Sequence, residues 1–269
     1  MWTDVVDLNA FYRSRLGHAA CQVLRRRLRR IWPDVKGMHV MGLGYATPYL
    51  RQFRGEAARV TATMPAHMGV TRWPRLERNA VCLAEETHLP YPDLSIDRLL
   101  IVHAIESSEN LRLLMREIWR VLAPEGRLIV VVPNRRGLWA RRDITPFGHG
   151  KPFSLRQIEA MLNASMFEMT GAARALFMPP IDHPWIWRSA NAFERIGAGW
   201  MDRVGGILIV EAIKQVYSGN MVGAKARRRI LLQPSLGAVA QVIDPLATDQ
   251  PEDAQDRHPG QLSGSQSGD

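Results

Sequence analysis

The connection from Val132 to Phe153 contains side chains suited to chemistry. It is rich in Gly and Pro, and it includes Trp139 and His149. An imidazole takes up or releases a proton near neutral pH, so His149 is a candidate base. Asn134 and Trp139 are candidates for contacting a substrate. The segment is either a lid or substrate wall, or an ordered loop in which glycines form turns and aromatic residues anchor it.

The elements that must position this segment are strands and helices that alternate along the chain. Short apolar runs predict strands at 38–43, 59–64, 80–83, 98–102, 127–132, 174–178 and 206–212. Helices are predicted over 8–31, after Thr47-Pro48, from Ser107 or Ser108, from Ser154 in a capping box with Gln157, and over 187–204. A turn is predicted at 124–126. Alternating strands and helices predict a doubly wound α/β sheet.

Composition divides the chain into three parts. We predict an N-terminal helical segment over 1–36, an α/β domain over 37–217 and a C-terminal tail over 218–269. The stretch 248–269 is rich in Pro, Gly, Ser, Asp and Gln, which predicts disorder.

The formal net charge of +9 is concentrated in two basic clusters. Five arginines occupy the first predicted helix, and four cations lie near the tail: Arg25, Arg26, Arg27, Arg29 and Arg30, then Lys225, Arg227, Arg228 and Arg229. Such clusters are either contacts for nucleic acid or an acidic partner, or solvated helix faces. No aromatic residues are interleaved with them, which favours the solvated faces.

The sequence predicts a cytoplasmic protein. No apolar run reaches the roughly 18 residues of a membrane span, and the N-terminus lacks the pattern of a secretory signal. The two cysteines, Cys21 and Cys82, form neither a disulfide framework nor a metal cluster, so no metal is expected.

Two stretches at a characteristic separation carry a family resemblance. The first reads Leu-Pro-Tyr-Pro-Asp-Leu-Ser-Ile-Asp-Arg-Leu-Leu over 89–100, and the second reads Glu-Ile-Trp-Arg-Val-Leu-Ala-Pro-Glu-Gly-Arg-Leu over 117–128. The chain resembles the type 11 family of class I S-adenosylmethionine (SAM) dependent methyltransferases over residues 38–215. The resemblance implies a Rossmann-like seven-stranded sheet, parallel except for the last strand. It also implies that SAM binds at the carboxyl ends of the first strands.

The resemblance assigns cofactor contacts to eight residues: Gly42, Gly44, Tyr45, Ala46, Met64, Glu85, Glu86 and His103. The family's first loop reads Asp-x-Gly-x-Gly-x-Gly, whereas this chain keeps one of the three glycines and lacks the acid. Met64 ends the second strand, where the family places a ribose-binding acid. Glu85 stands where the family places an acid that accepts from the adenine amino group, and Glu86 is adjacent. The alternative is an exposed glutamate in a loop. His103 is a second candidate base, or a histidine held by local backbone.

Three functions remain open at this point. The first is a methyltransferase acting on a small molecule, which predicts a pocket open beside Gly44 and Glu85. The second is a catalytically inactive homologue that binds a protein partner or another ligand, which predicts that Tyr45 or Met64 fills the cofactor cleft. The third is a nucleic-acid methyltransferase using the arginine clusters, which predicts salt-dependent binding. Because the sulfonium of SAM activates its own methyl group, no particular catalytic residue is required.

Overall fold

The computed structural model describes residues 4–200, 204–215 and 230–231. Within these residues the strands form one sheet in the order β3-β2-β1-β4-β5-β7-β6-β8. The strands are β1 (His39–Gly44), β2 (Arg59–Pro65), β3 (Val81–Ala84), β4 (Ile96–Val102), β5 (Leu122–Pro133), β6 (Phe167–Ala175), β7 (Ile207–Lys214) and β8 (Ile230–Leu231).

Strand β7 runs antiparallel to β5 and β6, and the other neighbouring strands pair in parallel. The predicted mostly parallel, Rossmann-like sheet with an antiparallel strand near its end is therefore confirmed. The two-residue β8 is an addition to the seven expected strands.

The helices begin and end close to where the apolar pattern changes. They are α1 (Val5–Arg13), α2 (Arg15–Ile31), α3 (Thr47–Leu50), α4 (Leu111–Val121), α5 (Leu155–Ala164), α6 (Pro184–Arg188) and α7 (Ala190–Trp200). Helix α5 starts with the predicted capping box, in which Ser154 and Gln157 bond each other's backbone. This satisfies two N–H groups that would otherwise lack partners.

Both faces of the sheet are covered, which explains why its strands read as continuous apolar runs. Alternate residues of β5, such as Ile129 and Val131, pack with α1 and α2 in one core cluster. Their neighbours Leu128 and Val130 pack with α4 and α5 in the other. Packing on both faces therefore determines where the carboxyl ends of the strands lie.

The single N-terminal helix predicted over 8–31 is wrong, because the chain breaks at Ser14. Ser14 has extended backbone angles, φ −68° and ψ 162°, and its hydroxyl accepts from the Gly17 N–H to cap α2. A serine whose side chain bonds nearby backbone competes with helix continuation. Helix α1 is consequently a separate element.

Several other boundaries also differ from the sequence prediction. Asn110, rather than Ser107 or Ser108, caps α4. Ala46 rather than Thr47 occupies the cap position of α3, although Pro48 lies in the first turn as expected. The turn predicted at 124–126 lies inside β5, the strand predicted at 174–178 is the earlier β6, and the helix predicted at 187–204 is α6 followed by α7.

Within the described ranges, no helix combines the length and the apolar character that crossing a bilayer requires. In the same part of the chain, no three His, Cys, Asp or Glu side chains are grouped as metal ligands. The tail predicted at 248–269 and the basic cluster at 225–229 lie outside the described residues.

Candidate cofactor crevice and adjoining cavity

The strand order places the carboxyl ends of β1 and β4 side by side. In open α/β sheets, ligands bind outside the carboxyl ends of strands at the point where the strand order reverses. Here that point lies between β1 and β4, and we call it the switch-point crevice. The residues that follow β1 and β4, Tyr45 and His103, border it.

The first loop packs against its own chain. Gly44 has φ +79°, and a Cβ at this position would lie 2.2 Å from the Val102 carbonyl oxygen. The next residue, Tyr45, donates its N–H to the same oxygen over 2.8 Å. A Cβ at Gly42 would lie 2.7 Å from both the Ala46 methyl and a Leu50 methyl. Both glycines are therefore required by local packing.

Tyr12 of α1 fills the switch-point crevice. Its ring stacks on Tyr45 with centroids 5.4 Å apart, and both side chains are buried. Its hydroxyl accepts from Tyr49 over 2.8 Å and lies 2.8 Å from Nε2 of His103. A hydroxyl has one proton, so after accepting from Tyr49 it is left to donate to His103.

The other ring nitrogen of His103 completes this chain of hydrogen bonds. Nδ1 lies 3.1 Å from Oε1 of Glu106, and both side chains are buried. If Nε2 accepts from Tyr12, Nδ1 carries the proton and donates to the carboxylate. His103 and Glu106 line a cavity of about 20 Å³ together with His149. That space holds about one water molecule.

The ends of β2 and β3 contribute one buried acid. Met64 is fully buried and supplies no carboxylate. Glu85 is exposed, whereas Glu86 is buried and accepts from the Ser108 hydroxyl over 2.6 Å. The second oxygen of Glu86, Oε1, lies 3.5 Å from Nδ1 of His67 and has no hydrogen-bond partner among the described residues.

SAM fits this site only in part. The oxygen of Glu86 that accepts no hydrogen bond among the described residues suits an amino donor such as that of adenine. The crevice between β1 and β4, in contrast, is occupied by the rings of Tyr12 and Tyr45, and the cavity beside His103 is about 20 Å³. Ligand pockets are typically about 300–1,000 Å³. The residues around β1 and β4 therefore do not accommodate SAM in this arrangement.

The segment after β5 connects to the last strands. The Asn134 amide donates to the Gly205 carbonyl over 2.7 Å, and the Trp139 indole donates to the Met178 carbonyl over 2.7 Å. Trp139 is fully buried against Phe147. Asn134 and Trp139 thus anchor this segment, whereas His149 lies at the small cavity.

A larger cavity of about 400 Å³ opens beside the ends of β4 and β5. We call it the β4–β5 cavity. It shares Gly150 with the small cavity that borders His103. Its lining residues are Ile105, Ser108, Glu109, Leu111, Arg135, Gly150, Lys151, Pro152, Phe153 and Gln157.

The arginine cluster of α2 contacts its own chain. Arg25 donates to the Pro48 carbonyl, Arg29 pairs with Glu56, and Arg27 lies 3.6 Å from Glu194. These contacts attach α2 to neighbouring elements. They account for three of the five arginines without a nucleic acid.

The sequence predictions omitted Tyr12, Tyr49 and Glu106, and they included Arg135 and Lys151 only as members of the predicted lid or substrate wall. Tyr12 belongs to the apolar stripe of α1. The stripe predicts that Tyr12 is buried, but it does not predict that its partner is His103. Glu106 lies three residues after His103, and this short spacing could have predicted that the two side chains form a pair.

We expect the crevice tyrosines to resist alkaline ionisation. Burial raises the pKa of Tyr12 and Tyr49 well above 10.0 and that of Tyr45 to about 12. The native state thus holds these protons more tightly than the unfolded state does. The free energy of unfolding is therefore at its full value below pH about 10 and falls as the pH rises further.

Phenolate absorbance and helical circular dichroism, recorded together against pH, test this expectation. We expect most phenolate to form only as the helical signal is lost. Ionisation of most of the five tyrosines near pH about 10, with an unchanged helical signal, would contradict it.

Comparison with known proteins agrees with the sheet order. Residues 40–130 match a family model described as a methyltransferase domain. A malonyl-[acyl-carrier protein] O-methyltransferase of Halorhodospira halophila is 32% identical over 136 residues, which are 44% of this chain and 45% of that protein. The chain thus spans under half the length of this curated relative.

Solved structures share the fold at low sequence identity. A SAM-dependent methyltransferase of Thermotoga maritima, described as a possible histamine N-methyltransferase, superposes with a TM-score of 0.57 at 14% identity, covering 80% of this chain and 98% of that one. One from Archaeoglobus fulgidus gives 0.55 at 17% identity, covering 78% and 98%. Residues 40–130 are therefore similar to a methyltransferase domain, and the solved structures share the fold of this chain.

Proposed function

We propose that this protein transfers a methyl group from SAM to a small molecule that binds in the β4–β5 cavity. The observation that carries the proposal is the position and size of that cavity. It lies beside the carboxyl ends of β4 and β5, and its volume of about 400 Å³ is that of a small-molecule site. It also adjoins, through Gly150, the small cavity at His103.

The lining of the β4–β5 cavity favours an acceptor with an anionic group. Arg135 and Lys151 line it, against one carboxylate, Glu109. Arg135 donates to the Pro152 carbonyl, and Lys151 has no ion-pair partner among the described residues. The Halorhodospira halophila relative is named as an O-methyltransferase, so oxygen is the first acceptor atom to test.

The tasks of the chain's own residues are to orient the acceptor and to exclude water. An acceptor that carries a proton also needs a base. His103, held by Glu106, and His149 both line the small cavity next to the proposed acceptor site. They are the two candidates for that task.

A second candidate function is favoured by the filled crevice. Tyr12 and Tyr45 occupy the space between β1 and β4, as expected of a homologue that has lost SAM. Such a protein would act as a module for a protein partner or another ligand. Binding of SAM separates the two candidates.

Calorimetric titration with SAM and with its demethylated product, S-adenosylhomocysteine, tests the proposal. We expect saturable binding and thermal stabilisation. No heat and no stabilisation at millimolar ligand would overturn the proposed function and leave the second candidate.

Two neighbouring acids provide a matched pair of variants for the same titration. A hydrogen bond to a charged group contributes about 1.5–3 kcal/mol, so Glu86→Gln should weaken SAM binding by about ten- to a hundred-fold. Glu85→Gln changes an exposed side chain and should leave the affinity unchanged. Equal affinities for the two variants would exclude Glu86 as the adenine acceptor.

A further inference from the structure

We propose that α1 is a displaceable lid over the switch-point crevice, and that SAM binds only after Tyr12 has left it. The inference rests on the proposed function, because it concerns the entry of the same cofactor. It resolves the disagreement between a methyltransferase fold and a crevice that its own N-terminal helix fills.

The first observation is that Tyr12 makes polar contacts with both sides of the crevice. Its hydroxyl bonds Tyr49, which follows β1, and His103, which follows β4. These are the places where a ligand at a switch point finds partners. Departure of Tyr12 frees the Tyr49 hydroxyl and Nε2 of His103 for a ligand, and it uncovers the face of Tyr45.

The second observation is the joint between α1 and α2. Ser14 is extended, and its own hydroxyl caps α2 by accepting from Gly17. Helix α2 therefore begins with a satisfied N–H whether or not α1 stays in place. Rotation at Ser14 can move the nine residues of α1 without unwinding α2.

The third observation is the unequal attachment of the two helices. Arg25 and Arg29 of α2 bond Pro48 and Glu56 elsewhere in the chain. Helix α1 buries four side chains, Val5, Leu8, Phe11 and Tyr12, of which Tyr12 carries the hydrogen bonds across the crevice. Displacement thus exposes these four side chains of the first core cluster, and it leaves the second cluster, on the other face of the sheet, untouched.

A closed lid lowers apparent affinity in proportion to the fraction of molecules that are open. Tyr12→Ala removes the ring and hydroxyl that hold the lid, so it should bind SAM at least about tenfold more tightly than the unmodified protein. Tyr12→Phe keeps the ring but loses both hydrogen bonds, so a smaller increase is expected. A substitution that merely damages packing lowers affinity or leaves it unchanged.

The experiment titrates SAM and S-adenosylhomocysteine calorimetrically into the full chain and both Tyr12 variants. Phe167→Leu is the matched control, because Phe167 is fully buried in the other core cluster. It destabilises the fold without touching the lid, and its affinity should not rise. Hydrogen exchange of the unmodified protein is measured in parallel, with and without saturating S-adenosylhomocysteine.

We expect ligand to accelerate amide exchange in α1 while α2 remains protected. If ligand binds, but Tyr12 substitution does not raise its affinity and α1 exchange is not accelerated, the lid is refuted and the proposed function stands. If neither the unmodified protein nor any variant binds ligand, the proposed function fails, and α1 is a permanent part of the core. The exchange measurement needs no variant, so it decides the question even if Tyr12→Ala does not fold.

Discussion

Gly44→Ala is expected to destabilise the protein by more than about 4 kcal/mol, a size reserved for severe local conflicts. The added Cβ would lie 2.2 Å from the Val102 carbonyl oxygen and 3.0 Å from the Ala104 methyl, at a φ of +79°. Relief requires β1 and β4 to separate where they pair at the centre of the sheet. The unfolded chain has no such steric conflict, so the substitution raises the free energy of the native state relative to the unfolded state.

Gly37→Ala is the matched control for this prediction. Gly37 has a similar φ of +72°, but no atom lies within 4 Å of a Cβ placed there. Gly37→Ala should lower the free energy of unfolding only by the penalty for a left-handed non-glycine residue, about 1–2 kcal/mol. Urea unfolding of both variants measures the difference. Equal losses would show that close approach to Val102 contributes nothing.

The result bears on how the first loop is interpreted. A glycine in this loop resembles those that let a cofactor approach the backbone, and Gly44 matches that pattern. Its environment shows that the chain itself requires the missing side chain. Retention of Gly44 therefore does not by itself indicate a bound ligand.

The sheet was largely predictable from the sequence. A parallel strand covered on both faces reads as a continuous apolar run, as 128–132 does, and such runs located the central strands. The start of α5 was equally accessible, since Ser154 and Gln157 form a local motif. The break at Ser14 was missed because serine is tolerated both inside a helix and at its cap, and only the backbone angles decide.

The site was predicted less completely because its contacts join distant parts of the chain. Tyr12 and His103 are 91 positions apart, and no local pattern links them. Glu85 and Glu86 are adjacent, so the sequence left both as adenine acceptors. Burial separates them, and it depends on the rotation of the loop after β3. Tertiary packing sets both outcomes.

Trp139→Ala is expected to destabilise the protein by about 3–5 kcal/mol, the cost of deleting a large buried aromatic side chain. The indole is fully buried, and its N–H satisfies the Met178 carbonyl over 2.7 Å. Gly206 permits this packing, because a Cβ there would lie 2.2 Å from the ring. The substitution thus leaves a cavity beside Gly206 and leaves the Met178 carbonyl without its donor, where the segment after β5 packs near the start of β7.

Trp185→Ala provides the control. Trp185 is 64% exposed and makes an edge-to-face contact with Phe193, so its loss should change stability by about 1 kcal/mol or less. Thermal and urea unfolding compare the two variants. Because the prediction assigns Trp139 to the core, Trp139→Phe should lose part of the stability yet keep the SAM affinity of the unmodified protein. If Trp139→Ala is as stable as Trp185→Ala, Trp139 is not a core residue, and its predicted role in contacting a substrate is favoured instead.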